Sequence, residues 1–363
     1  MKSLRGRHCW ILGTAALIAL FHLLTGSRRI MNALAAGTLP LRQAAARFCA
    51  LFPFSVAELL CTLGVLAVLV WLLWTAEGGL RHRPRGRVFW ERFSLLPAAA
   101  LTLYLLLCLL LGASYRADGF QEKSGLRARP ESLETLEETA ALFAARLRET
   151  ADTVPRDEAG EFALSLEEIF DAADSVYRGA EERFPFLRLR DVTPKRVFFS
   201  RLMSRVNYTG FYFPYTGEAN INTDPPPALI PATVAHEMAH QRGIASEQEA
   251  NFTAILACVE SGNPAYAYSG WLFGFLHLGN ALYRRDAEAY WALAATLPEE
   301  VRADLRANDE YWARFETRAA RVSGKVYDSM LKSYGQSLGV QSYGAVVDLL
   351  LAWYLQGGFG EAP

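Results

Sequence analysis

Two histidines four residues apart, His236 and His240, enclose Glu237 in the run His-Glu-Met-Ala-His. On a helix, positions i and i+4 fall about 40° apart on one face, so both imidazoles reach a single cation. Two imidazoles with a carboxylate as third donor suit Zn²⁺. A carboxylate next to the first histidine is placed to take a proton from an attacking water. The chemistry implied is metal-assisted hydrolysis, with His236 and His240 as metal ligands and Glu237 as the base.

The elements that must position these residues have readable ends. Pro231 sits where a first-turn proline belongs, and Val234, Ala235, Met238 and Ala239 supply a packing face beside the histidines. Gly243, three residues past His240, suits a left-handed helix stop. Ser246 then reads as the N-cap of a second helix, with Glu249 at the third helical position to complete a capping box. If Glu249 folds back onto Ser246, Glu247 is the freer carboxylate to become the third ligand, provided the chain bends at Gly243. Glu249 remains the alternative ligand.

His236-Glu-x-x-His240 followed by Glu247-x-x-Ala250-Asn251 resembles the zincin metallopeptidases, whose third ligand comes from a Glu-x-x-Ala-Asp/Asn helix. The longer string from Thr216-Gly-Glu-Ala-Asn220 to Phe252, with Gly339-Val-Gln-Ser-Tyr-Gly344, resembles a bacterial family of membrane-anchored, zincin-like metallopeptidases known only as a domain of unknown function. The resemblance implies ligand roles for His236, His240 and Glu247 and a general-base role for Glu237. It also implies a supporting role for Asn251, orienting a ligand histidine, although Asn stands where many of the wider clan have Asp. Gly217-Glu-Ala-Asn220 is similar to the Gly-x-Met-Glu-Asn motif of zinc aminopeptidases, which makes Glu218 and Asn220 substrate-site candidates.

The chain is 52% apolar with a formal charge of −1, an average that hides two unlike halves. Residues 9–25, 55–75 and 95–113 are apolar, almost uncharged and near the ~20 residues needed to cross a bilayer. The first has a basic flank (Lys2, Arg5, Arg7) and no close small-residue cleavage site, so it reads as an uncleaved anchor. Arg81, Arg83, Arg85, Arg87 and Arg92 concentrate charge between the second and third spans. Four arginines spread over the 26–54 loop oppose this more weakly. The positive-inside tendency puts the N-terminus in the cytoplasm and everything beyond residue 114 outside.

The expected architecture is therefore a three-span helical membrane domain (1–113), a Gly/Pro-punctuated linker (114–130) and a mainly α, α+β zincin-like outer domain (131–363). Amphipathic spacing predicts helices over 131–150 and 163–182. Residues 206–223 read as two short strands around a turn, where a zincin keeps the edge strand that pairs with extended substrate. Residues 264–283 carry no charge but are interspersed with Tyr, Ser, Gly, His and Asn, which favours a core helix over a fourth span. Residues 346–354 read as a terminal core helix, and Cys258 as a core residue outside any disulfide framework. His277 is a core histidine or a donor to a developing oxyanion, in competition with Tyr327, Tyr334 and Tyr343.

These features point to a membrane-anchored zinc metallopeptidase acting on a peptide or protein at the outer face. The rival is a metal-binding envelope sensor or scaffold without hydrolytic activity. An intramembrane protease fits poorly, because Arg242, Glu247, Gln248 and Glu249 crowd the motif with polar groups that lipid disfavours. No nucleic-acid-binding basic patch and no phosphate-binding glycine loop is apparent.

Overall fold

A computed structural model gives the fold of residues 2–81, 85–333 and 343–360. Contacts divide the chain into two units, the first comprising Met1–Ala117 with Pro214–Gly217, the second Asp118–Phe213 with Glu218–Pro363.

In the first unit, three helical stretches are long and apolar enough to cross a membrane: Arg5–Leu24, Val56–Gly78 and Val88–Arg116. Leu66, Leu69 and Leu73 are exposed along the second. Helices apolar on every side are those for which lipid is the solvent. The third stretch passes through a π turn at Cys108–Gly112 and begins earlier than the expected 95–113. Arg92, counted with the connecting loop, lies in helix Arg85–Phe93, its guanidinium 4.1 Å from the Trp74 ring centroid. The 26–54 region, expected as a loop, is a helix over Arg28–Cys49 that buries Met31, Arg42, Ala46 and Cys49. Its dispersed arginines mask helical apolar spacing, and Arg42 donates to Ser114 Oγ at 3.4 Å.

The second unit is mainly helical with one small sheet. Strands β1 (Lys195–Arg196), β2 (Gly210–Phe213) and β3 (Glu218–Ile221) lie in the order β1-β3-β2. β3 is parallel to β1 and antiparallel to β2, which makes β2 an edge. The expected pair of strands is therefore present, and β1 was not foreseen.

Four helices build the centre of this unit: Leu133–Thr150, Ile230–Gln241, Glu247–Val259 and Pro264–Arg285. The last is the charge-free stretch, and its Tyr266, Tyr268 and Phe275 are fully buried. Its polar groups find partners, as when the Tyr266 hydroxyl donates to the Ile169 carbonyl at 2.8 Å. Glycine is required twice on it: a Cβ at Gly270 would lie 2.5 Å from Cys258 Cβ, and one at Gly274 would lie 2.1 Å from the Phe143 ring. Cys258 itself is buried, and burial pushes its thiol pKa up. The terminal helix, Tyr343–Leu355, buries Val346, Leu349 and Leu350.

Two expectations need correction. The 114–130 stretch is not a bare linker, because it contains helix Phe120–Ser124. Phe120 sits among Phe184, Phe186 and Phe252, with ring centroids 5.0, 5.4 and 5.2 Å away. One buried aromatic thus anchors a segment whose composition reads as polar. The 163–182 region is also not one helix. It breaks into Leu166–Asp171 and Arg178–Arg183, joined by a 3₁₀ turn at Ala173–Ser175.

Candidate metal centre

The motif helix, Ile230–Gln241, starts with proline in its first turn. It ends in a Schellman turn, with Gly243 at φ +83°, Gly243 N donating to His240 O at 3.0 Å and Ile244 N to Ala239 O at 3.1 Å. This stop also serves the site. The returning chain brings the Ile244 carbonyl to His240 Nδ1 at 2.7 Å. A carbonyl only accepts, so Nδ1 carries the proton and Nε2 keeps its lone pair for a cation.

Past the bend, Glu247 opens the helix Glu247–Val259. Its carboxylate faces both histidines, with Oε2 3.3 Å from His236 Nε2 and Oε1 3.6 Å from His240 Nε2. The ligand atoms of the three residues lie within 4.8 Å of one another. Tetrahedral zinc, with bonds of about 2.0–2.2 Å, separates its ligand atoms by roughly 3.4 Å. The cluster therefore has the size and donor chemistry to hold a divalent cation. His236 Nδ1 is buried and has no hydrogen-bond partner of good geometry. Burial opposes charge on His236, but Glu247 and the nearby Glu237 outweigh it and raise its pKa, with a smaller contribution from Asn251.

The capping-box argument reached Glu247 by a route the structure contradicts. The Ser246 hydroxyl makes no cap bond. Glu249 instead accepts from Phe120 N at 2.8 Å and Gln121 N at 3.0 Å, capping a helix some 130 residues away in sequence. Glu249 is buried there, apart from the His236–His240–Glu247 cluster.

Glu237 is 4% exposed, and its Oε2 has no hydrogen-bond partner. Burial, opposed by the charge of His236 and aided by that of Glu247, pushes its pKa up to about 8. β2 presses against it at Gly210, where a Cβ would lie 2.7 Å from Glu237 Oε1. A glycine within a strand signals such a close approach, and this is the clue in the sequence that was missed.

A cavity of about 300 Å³ opens beside the cluster, with His236, Glu247, Asn251 and His277 in its wall. Burial, reinforced by His236, lowers the His277 pKa to about 4, so its imidazole is neutral. Asn207, Asn222, Asn308 and Trp312 also line the cavity. Asn207 takes a left-handed φ of 60°. Nothing in the sequence linked Asn308 and Trp312 to a motif more than 60 positions away. The candidates Glu218 and Asn220 are buried in β3 and absent from this wall. Asn220 Nδ2 donates to the Glu218 carbonyl at 3.1 Å, a bond within the strand. Residues 339–342 and the side chains of Tyr327, Tyr334 and Tyr343 lie outside the described residues.

Arg242, one of the charges that crowd the motif, is turned into the protein. Its side chain is fully buried, paired with Glu181 at 2.9 Å and with Asp191, and stacked 3.6 Å from the Tyr177 ring centroid. Tyr177 in turn donates to the Ala235 carbonyl at 2.7 Å, which braces the motif helix from behind.

Three apolar spans with a mainly helical unit carrying a His/Glu cluster define a membrane-anchored protein able to bind a cation. The chain belongs to the family described as protein of unknown function (DUF3810), whose model matches residues 39–351. Searches among curated proteins and among solved structures give no match.

Proposed function

We propose that the protein is a membrane-anchored, zincin-like metallopeptidase that hydrolyses peptide bonds at the outer face of the membrane, with zinc held by His236, His240 and Glu247. The observation that carries this reading is Glu237, a buried carboxyl group beside the cluster with an oxygen left unpaired. Burying such a group costs stability, and a cation of purely structural use gains nothing from it.

His236, His240 and Glu247 would hold the cation, which would supply a Lewis acid for the scissile carbonyl and the attacking water. Glu237 Oε2 takes the proton from that water and delivers it to the departing nitrogen. A carboxylate held at this place serves in both directions, as base and then as acid. The Ile244 carbonyl fixes the His240 ring while this happens. Neutral His277, in the cavity wall, donates a hydrogen bond to the oxyanion as it develops. β2, an edge strand in the described sheet, offers backbone groups to an extended peptide.

The test is cleavage of a peptide library by the full-length protein in vesicles. Glu237→Gln keeps the size of the side chain and removes the base. Hydrolysis is expected to fall by roughly 10²–10⁴-fold with bound metal retained. An unchanged rate in Glu237→Gln would refute the role of this residue.

A further inference from the structure

The stretch Arg188–Arg205 carries six basic side chains and one acidic one in a chain whose formal charge is −1. The single acid, Asp191, is engaged inward by the buried Arg242. At the centre of this stretch the chain displays apolar surface: Phe198 is 85% exposed, Leu202 58% and Phe199 47%. The cause is local. Ser200 turns its hydroxyl inward, donating to the Val197 carbonyl at 2.6 Å and accepting from Thr223 N at 3.0 Å. That anchors the short helix Ser200–Ser204 by its polar side and leaves Phe198, Phe199 and Leu202 outward. Arg188, Arg190, Arg201 and Arg205 are exposed in the same stretch of chain, Arg201 next to Leu202 in sequence. Arg201 reaches Asp224 at 3.5 Å and still has 66% of its side chain in solvent.

Large aromatic and aliphatic side chains displayed in an arginine-rich stretch are the chemistry of a surface that enters the headgroup region of a bilayer. The rings sit at the acyl boundary and the guanidinium groups pair with anionic headgroups. The same chain carries three helices apolar and long enough to cross a membrane, which would tether this unit near a bilayer, so a modest intrinsic affinity suffices. We propose that Phe198, Phe199 and Leu202, with the exposed arginines of the same stretch, dock on an anionic lipid surface. The inference does not depend on the peptidase reading.

Docking there has a consequence for the cavity. Ser204, on the same short helix, accepts from Asn222 Nδ2 at 2.8 Å, and Asn222 lines the cavity wall. Two residues further on, Asp224 accepts from the Tyr311 hydroxyl, whose oxygen also lies 2.6 Å from Ser204 Oγ. The docked surface and the cavity wall are thus one hydrogen-bonded body. Docking of the one therefore fixes the position of the other.

The test uses the full-length protein with its five native cysteines replaced. Phe198→Cys, and separately Leu202→Cys, carries an environment-sensitive fluorophore, with exposed Glu158→Cys as the control. Each variant is reconstituted into phosphatidylcholine vesicles with or without 30% phosphatidylglycerol. The proposal expects the labels at 198 and 202 to be quenched by doxyl-labelled lipid and shielded from acrylamide, most strongly with the anionic lipid. The label at 158 should show the reverse. Acrylamide access at 198 and 202 equal to that at 158 overturns the proposal. Shielding without doxyl quenching also overturns it, because the cover is then protein. Doxyl quenching equal in both vesicle types contradicts the pairing of arginines with headgroups.

Discussion

Two neighbouring glutamates on one helix do different work. Glu247 faces the histidines and Glu249 binds the backbone of residues 120 and 121. Glu247→Ala removes one of three donors, and metal affinity is expected to collapse. Glu249→Ala strands two buried N–H groups, so stability should fall by about 2–3 kcal/mol with metal stoichiometry unchanged. Chemical denaturation combined with metal analysis of the two variants distinguishes these outcomes. Loss of metal in Glu249→Ala alone would reverse the assignment. The histidine pair and its glutamate were legible in the sequence, because helical periodicity alone sets their geometry. The partner of Glu249 was not, because a contact spanning some 130 residues leaves no local trace.

At the scale of elements, the Schellman stop at Gly243 does two things at once. It ends the motif helix and carries the Ile244 carbonyl to His240. Gly243→Ala puts a Cβ on a residue at φ +83°, which costs about 1–2 kcal/mol. Because the bend also orients a ligand, metal affinity is expected to fall together with thermal stability. A variant that is destabilised yet binds metal as tightly as the parent would separate the two roles. Glycine and proline punctuation made this bend readable in advance. The helix over Arg28–Cys49 was missed for the opposite reason, since four scattered arginines outweighed its apolar spacing. Likewise Phe120, one aromatic in a polar stretch, gave no hint that the segment is pinned into the core.

For the whole molecule, the proposed orientation rests on three candidate spans and the arginine asymmetry. A reporter fused after residue 363 is expected to be active only outside the cytoplasm. Activity inside would mean the reverse orientation or a further crossing. Helix Pro264–Arg285 is a poor candidate, since its tyrosines are buried and hydrogen-bonded in the second unit. The number of spans was legible because hydropathy is a local property. The walls of the cavity were not, because Asn207, Asn222, Asn308 and Trp312 meet only through the tertiary fold.

The central claim is that His236, His240 and Glu247 hold a catalytic cation, and metal content measures it most directly. Full-length protein purified without chelators should contain close to one equivalent of a divalent transition metal, expected to be zinc. Glu237→Gln should retain it, and His240→Ala should lose it. Parent protein with no stoichiometric metal, or a His240→Ala variant that binds as much as the parent, would contradict the account.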